Sequence, residues 1–178
     1  MISEKLAKTM NEQIKNELES AYLYLSMAAW FHARSLDGMA HWMRCQAHEE
    51  TIHAMKFFDH LNDRGYPVAL QDLKQAKTDW ENPIQLWEDT LQHERFITSK
   101  IDDLTTIARE VRDYAVEPVL AWFSKEQVEE EATAARILEQ MKMAGSDRSA
   151  LIFIDRELGG RVFVAGSPFD PTAYNMAA

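Results

Sequence analysis

Four stretches of this chain each place a carboxylate in the middle of an apolar helical stripe. In "QAHEETIHAMKFFDHL", residues 46 to 61, Gln46, Glu50, His53, Phe57 and Leu61 share one face at helical spacing. Phe57 and Leu61 belong in a core, where an unpaired charge is expensive or is neutralised by a shifted pKa. Either that stripe faces solvent or something inside compensates the charge. The pattern recurs. Glu17 lies among Met10, Ile14, Ala21, Tyr24 and Ala28; Glu94 lies among Trp87, Thr90, Ile97, Ile101 and Leu104. Gln127 and Glu130 lie among Leu120, Phe123, Ala134 and Ile137.

The stripes belong to four long helical patterns. The first runs from about Ser3 to Arg34 and breaks at "SLDG"; the second ends near Arg64, before Gly65 and Pro67. The third begins near Pro83, a favoured first position, and runs to about Arg109. Asp113 is a plausible cap for the fourth, which ends at Gly145, with Pro118 in its first turns. "SDRSALIFIDREL" predicts a short fifth helix. Residues 1–160 thus form one all-α domain, and 161–178 a tail, extended or mobile, without helical period. Short links make two antiparallel hairpins, while Tyr66 to Glu81 has little helical pattern. At up to ~3.3 Å per residue that segment spans about 50 Å, enough to cross a bundle lengthwise and produce a four-helix bundle with one long crossover between helices two and three.

The hairpins also read as a duplicated unit. Glu17 to Glu50 and Glu94 to Gln127 are both separated by 33 residues, and "EETIH" aligns with "EQVEE". Four inward carboxylates, Glu17, Glu50, Glu94 and Glu130, balance two divalent cations, which removes the burial penalty. Glu50 and His53, three apart on one face, can hold one ion; Glu94 and Glu130 can hold a second, with Glu50 bridging. Oxygen ligands plus one imidazole favour iron or manganese, with zinc as competitor. Composition agrees on the partner's sign: 29 acidic against 19 basic residues, net charge −10 and no Lys/Arg run point to a cation and away from nucleic acid. Cys45, the only cysteine, excludes thiolate clusters and an intrachain disulfide. With no long apolar run and no apolar leader at "MISEKLAKTMNEQ", the expectation is a cytoplasmic protein without membrane contact.

Over about residues 3 to 158 the chain resembles the heme-free bacterial ferritins, through Glu17, Tyr24, "HEETIH", Glu94 and "WFSKEQVEEE". The resemblance implies a ferritin-like bundle with a short fifth helix and a hollow homo-oligomer of 24 subunits. It also implies iron storage, in which Fe(II) is oxidised by dioxygen or peroxide at a diiron ferroxidase centre and kept inside as ferric mineral. Carried over by motif, the first iron would use Glu17, Glu50 and His53, and the second Glu50, Glu94 and Glu130, with Gln127 towards the oxidant. A third iron would use Glu49, Glu126, Glu129 and shared Glu130. Tyr24 and Trp122 would supply electrons or merely pack. The heme-binding relatives repeat Glu–x–x–His on the fourth helix, where this chain has Gln127 and Glu130. They also carry a heme-ligating methionine at the position of Thr51, so no heme is expected. Asp113 and Glu117 could line an iron inlet or serve as helix N-terminal carboxylates. Rival readings are a diiron oxidase of organic substrates and a metal-free helical scaffold.

Overall fold

The computed structural model describes residues 2–163 as five helices, with no strand among them. They are α1 (Glu4–His32), α2 (Asp37–Asp63), α3 (Pro83–Glu110), α4 (Glu117–Ala144) and α5 (Arg148–Leu158). Local chemistry starts most of them. Ser3 caps α1 by accepting from the Leu6 amide, and Asn82 caps α3 by accepting from Gln85, with Pro83 following. Asp147 caps α5 through the Ser149 and Ala150 amides. The tail beyond residue 163 lies outside the described residues.

Two helix starts depart from that scheme. The expected Asp113 cap is not formed: α4 starts after Val116 without a side-chain cap, and Pro118 sits in its first turn. Asp113 is instead gripped by both Nη atoms of Arg64, at 3.0 and 2.8 Å. A planar guanidinium outcompetes a single amide for a carboxylate, and the pair ties the end of α2 to the α3–α4 link. Helix α2 also lacks a cap of its own, because Leu36 precedes it. Its Met39 amide donates to Asp155 of α5, 2.8 Å away. Gly38 permits that approach, since a Cβ there would lie 1.7 Å from the Asp155 carbonyl oxygen.

Helix α1 packs chiefly on α2, and α3 on α4; α1–α3 contacts join the hairpins, and α5 lies against α2 and α4. The crossover from α2 to α3 is fastened along α1. Asn11 accepts from the Ala69 amide, Glu19 from Lys74, Ser26 donates to the Lys77 carbonyl, and Trp30 donates to Asp79. Trp80 is buried against the edge of Trp30. From Asn11 to Trp30 is about 28 Å of helix, so the crossover returns the chain nearly the length of the bundle and leaves α2 and α3 running the same way. Two apolar clusters result. One, around Phe31, Trp42 and Trp87, lies towards the α1–α2 link; the other, around Met10, Phe57, Leu104 and Phe123, lies towards the opposite end. The carboxylates fall between them.

Candidate metal centre

Each core helix contributes to one buried polar band. Glu17 comes from α1, Glu50 and His53 from α2, Glu94 from α3, and Gln127 and Glu130 from α4. Their exposures run only from 0% at Glu17 to 7% at Glu130. The stripe therefore faces inward, and the charge is compensated rather than solvated.

Glutamines do part of that work. Gln13 donates to Glu17 Oε1 at 2.8 Å, Gln46 to Glu50 Oε1 at 3.1 Å, and Gln127 to Glu94 Oε2 at 3.3 Å and to the Glu94 carbonyl at 3.2 Å. Tyr24 Oη donates to Glu94 Oε1. His53 Nδ1 lies 3.3 Å from Glu50 Oε2. These contacts leave one acceptor stranded: Glu17 Oε2 is buried without a hydrogen-bond partner. A carboxylate oxygen in that position is stable only with a proton or a cation beside it.

The electrostatics follow from crowding like charges out of water. Burial, then the charge of Glu50, pushes Glu17 up to about 8. Burial and the Glu50 charge likewise push Glu130 up to about 7, and burial with Glu50 and Glu130 raises Glu94 well above the carboxylate range. Burial alone would raise Glu50 too, but the hydrogen bond and charge of His53, with help from Gln46, hold it low. Burial disfavours imidazolium at His53, yet the bond to Glu50 and the charges of Glu50, Glu17 and Glu130 carry it up to about 10. Tyr24 is pushed well above its ordinary value by burial and then by Glu94. Without metal the centre is thus a Glu50–His53 ion pair among largely protonated carboxyls.

Two groups can close on a cation. Glu17, Glu50 and His53 each offer a ligand atom, all within 4.8 Å of one another, and so do His53, Glu126 and Glu130. The donor set, carboxylate oxygens and one imidazole, suits iron or manganese. Glu94 lies outside both groups, held by Tyr24 and Gln127. Glu126 is half-buried beside His53, whereas Glu129 is exposed. Glu49 is occupied by Arg161, whose Nη2 lies 2.5 Å from its Oε2. Trp122 sets its ring edge on His53 at a centroid distance of 5.4 Å, and Lys56 covers the Trp122 ring 4.1 Å from its centroid. Glu117 lies in the first turn of α4.

Sequence reasoning missed several contributors and gave Gln46, already placed on the Glu50 stripe, no role. Gln13 and Gln46 precede Glu17 and Glu50 by one turn each and are themselves 33 residues apart, so the repeat that aligned the glutamates carried the signal. His93, kept neutral by burial, lies 2.7 Å from Ser20 Oγ and edge-on to Tyr24; neighbouring Glu94 was its only signal. Arg161 had none, because its contact depends on how α5 docks.

The ferritin-like domain family matches residues 7–144 of the chain. The bacterial non-heme ferritin of Bacteroides fragilis (strain 638R) is 40% identical over 161 residues, covering 90% of this chain and 100% of that protein. The bacterial non-heme ferritin of Staphylococcus epidermidis (strain RP62A) is 36% identical over 163 residues, covering 92% and 98%. Among solved structures, the open pore ferritin of the hyperthermophilic archaeon Archaeoglobus fulgidus superposes with a TM-score of 0.90 at 42% identity, over 91% of this chain and 100% of that one. A closed form of the same ferritin, engineered by site-directed mutagenesis, gives a TM-score of 0.90 at 42% identity over 92% and 100%.

Proposed function

The chain belongs to the ferritin family, and from that premise we propose that it stores iron and oxidises Fe(II) to Fe(III) in the buried carboxylate band. The observation that carries this reading is the stranded Glu17 oxygen, a buried acceptor within ligand distance of Glu50 and His53, which needs a proton or a shared cation beside it. Iron enters as substrate. Glu17, Glu50 and His53 bind one Fe(II); Glu50, Glu94 and Glu130 bind the other, and Gln127 faces the oxidant side.

Each Fe(II) gives up one electron. Dioxygen takes both electrons with two protons to become hydrogen peroxide, or hydrogen peroxide takes them with two protons to become two waters. Glu50, held ionised by His53 and Gln46, is ready to bridge two cations, while Glu17, Glu94 and His53 must first release protons. The acidic residues Glu49, Glu126 and Glu129, with Glu130 shared, hold a third iron beside the pair. Thr51 stands where the heme-binding relatives carry their heme-ligating methionine, and Gln127 and Glu130 where they repeat Glu–x–x–His. The product Fe(III) passes to the interior of a 24-subunit homo-oligomeric shell. The setting is the cytoplasm; no helix among the described residues is long and apolar enough to cross a membrane.

The test is excess Fe(II) added in air to the metal-free protein, followed by separation on size with iron and protein recorded together. Iron travelling with a particle of about 490 kDa, 24 chains of 20.5 kDa, supports storage in a closed shell. A small oligomer retaining only about two irons per chain would end the storage reading and favour an oxidase of organic substrates.

A further inference from the structure

The residues just past α5 reach back to the rim of the metal centre. Arg161 lays its guanidinium carbon 4.4 Å from the centroid of the Trp42 ring, and its carbonyl lies 2.6 Å from His41 Nε2. Two residues on, Phe163 meets the His41 ring edge-on at 4.8 Å between centroids. Anchored there on α2, the guanidinium points along the helix towards the carboxylates. Nη1 donates to Gln46 Oε1 at 2.8 Å, and Nη2 to Glu49 Oε2 at 2.5 Å. The pair is well shielded, with side-chain exposures of 21% and 29%.

Two consequences follow for the centre. An amide has one acceptor and one donor end. With Oε1 committed to Arg161, Gln46 presents its Nε2 to Glu50, where it donates at 3.1 Å. The flipped amide would set N–H against guanidinium on one side and oxygen against carboxylate on the other. Glu49, meanwhile, already has a cation: the guanidinium on its Oε2 competes for that carboxylate and repels a second ion.

We propose that Arg161 is a positioning residue for the outer ion: it holds Glu49 where a metal would and locks the Gln46 amide towards Glu50, so that an ion joining Glu49 and Glu126 must compete with Arg161. This rests on the three-ion reading above and adds to it an internal competitor. The residues after α5 thereby set how readily ions beyond the first two are held.

Anaerobic calorimetric titration of the full-length, metal-free protein with Co(II), which takes the same oxygen and imidazole ligands without being oxidised, tests the assignment. The wild type is expected to take up two ions tightly and a third weakly. In R161Q the third should bind about tenfold more tightly, the range of one charge-assisted hydrogen bond, with the two tight ions unchanged in number. R161A should show the same gain and serves if R161Q folds poorly. R161K restores a charge at Glu49 and should return the third ion towards wild-type weakness, which loss of packing alone would not reverse. Adding E49Q to R161Q should erase the gain. A third ion unchanged or weaker in R161Q and R161A overturns the proposal, as does a gain that survives E49Q. Failure of the wild type to bind the two tight ions would instead sink the centre itself, and this inference with it.

Discussion

Glu17 shows at residue scale what burial does to a carboxylate whose partner is absent. Its ordinary value is 4.5, and burial beside Glu50 raises it to about 8. A group raised in the folded state contributes stability that is complete below its unfolded value and is lost as pH climbs to its folded one. His53 acts in the same direction between 6.5 and about 10. The metal-free protein should therefore melt at progressively lower temperature as pH rises from about 5 to about 8, and Glu17→Gln should flatten that slope. A scan of melting temperature against pH, with metal removed, checks both. Metal reverses the balance, because ligands must shed their protons to bind it. Near neutral pH, Glu17, Glu94 and His53 each hold a proton and Glu130, at about 7, holds part of one. Loading two divalent ions should thus release about three protons per chain, read by titration in weak buffer; release of none would mean ions bind elsewhere. Tyr24 acts through Glu94. Tyr24→Phe removes the phenol donor and should weaken binding of the ion at Glu94 by about tenfold; an unchanged affinity would reduce Tyr24 to core packing.

At the scale of elements, helix ends are where the chain solves local problems with distant residues. Helices α1, α3 and α5 are capped by the residue next to them. Helix α2 is not, and the α5 residue Asp155 supplies the acceptor at Met39. Gly38 is the hinge of that arrangement, since any side chain there would push into the α5 backbone. Gly38→Ala should destabilise the protein by about 2 kcal/mol, as overpacking does, and should raise hydrogen exchange across 148–158 more than across α3. Asp155→Ala, which removes only the acceptor, should cost about 1 kcal/mol without displacing α5. Equal, uniform loss of protection in both variants would show that α5 is not docked through this contact. The Arg64–Asp113 pair plays the same part at the other end, joining segments that periodicity treats as separate.

For the whole molecule, the decisive device is the crossover. Pinned to α1 at Asn11, Glu19, Ser26 and Trp30, it brings the second hairpin back at the same level as the first, so that residues 33 apart in each hairpin meet at one depth. Apolar clusters on both sides then exclude water from the band and strengthen its electrostatics. The surrounding charge serves the same end. A chain of net charge −10 steers cations towards itself, and such steering is screened by salt. The initial rate of Fe(II) uptake should fall severalfold between low and high ionic strength, while the number of tightly bound ions stays the same; a salt-independent rate would remove long-range attraction from the account.

Periodicity, with Gly and Pro at the ends, marked the five helices and put Glu17, Glu50, His53, Glu94, Gln127 and Glu130 on apolar faces, because a helical face is a local property written at fixed spacing; their recurrence on four helices argued that those faces turn inward. The repeat of 33 residues went further and implied a common depth, and its unused glutamine pair, Gln13 and Gln46, would have added two supporting donors. The tertiary structure alone decided the rest. Asp113 met Arg64 instead of an amide, Asp155 capped a helix more than a hundred residues away, Glu126 turned to His53 while Glu129 stayed exposed, and Arg161 reached Glu49. All four are contacts between groups far apart in the chain, and their partners are chosen by how rigid helices dock. No pattern confined to one helix encodes that choice.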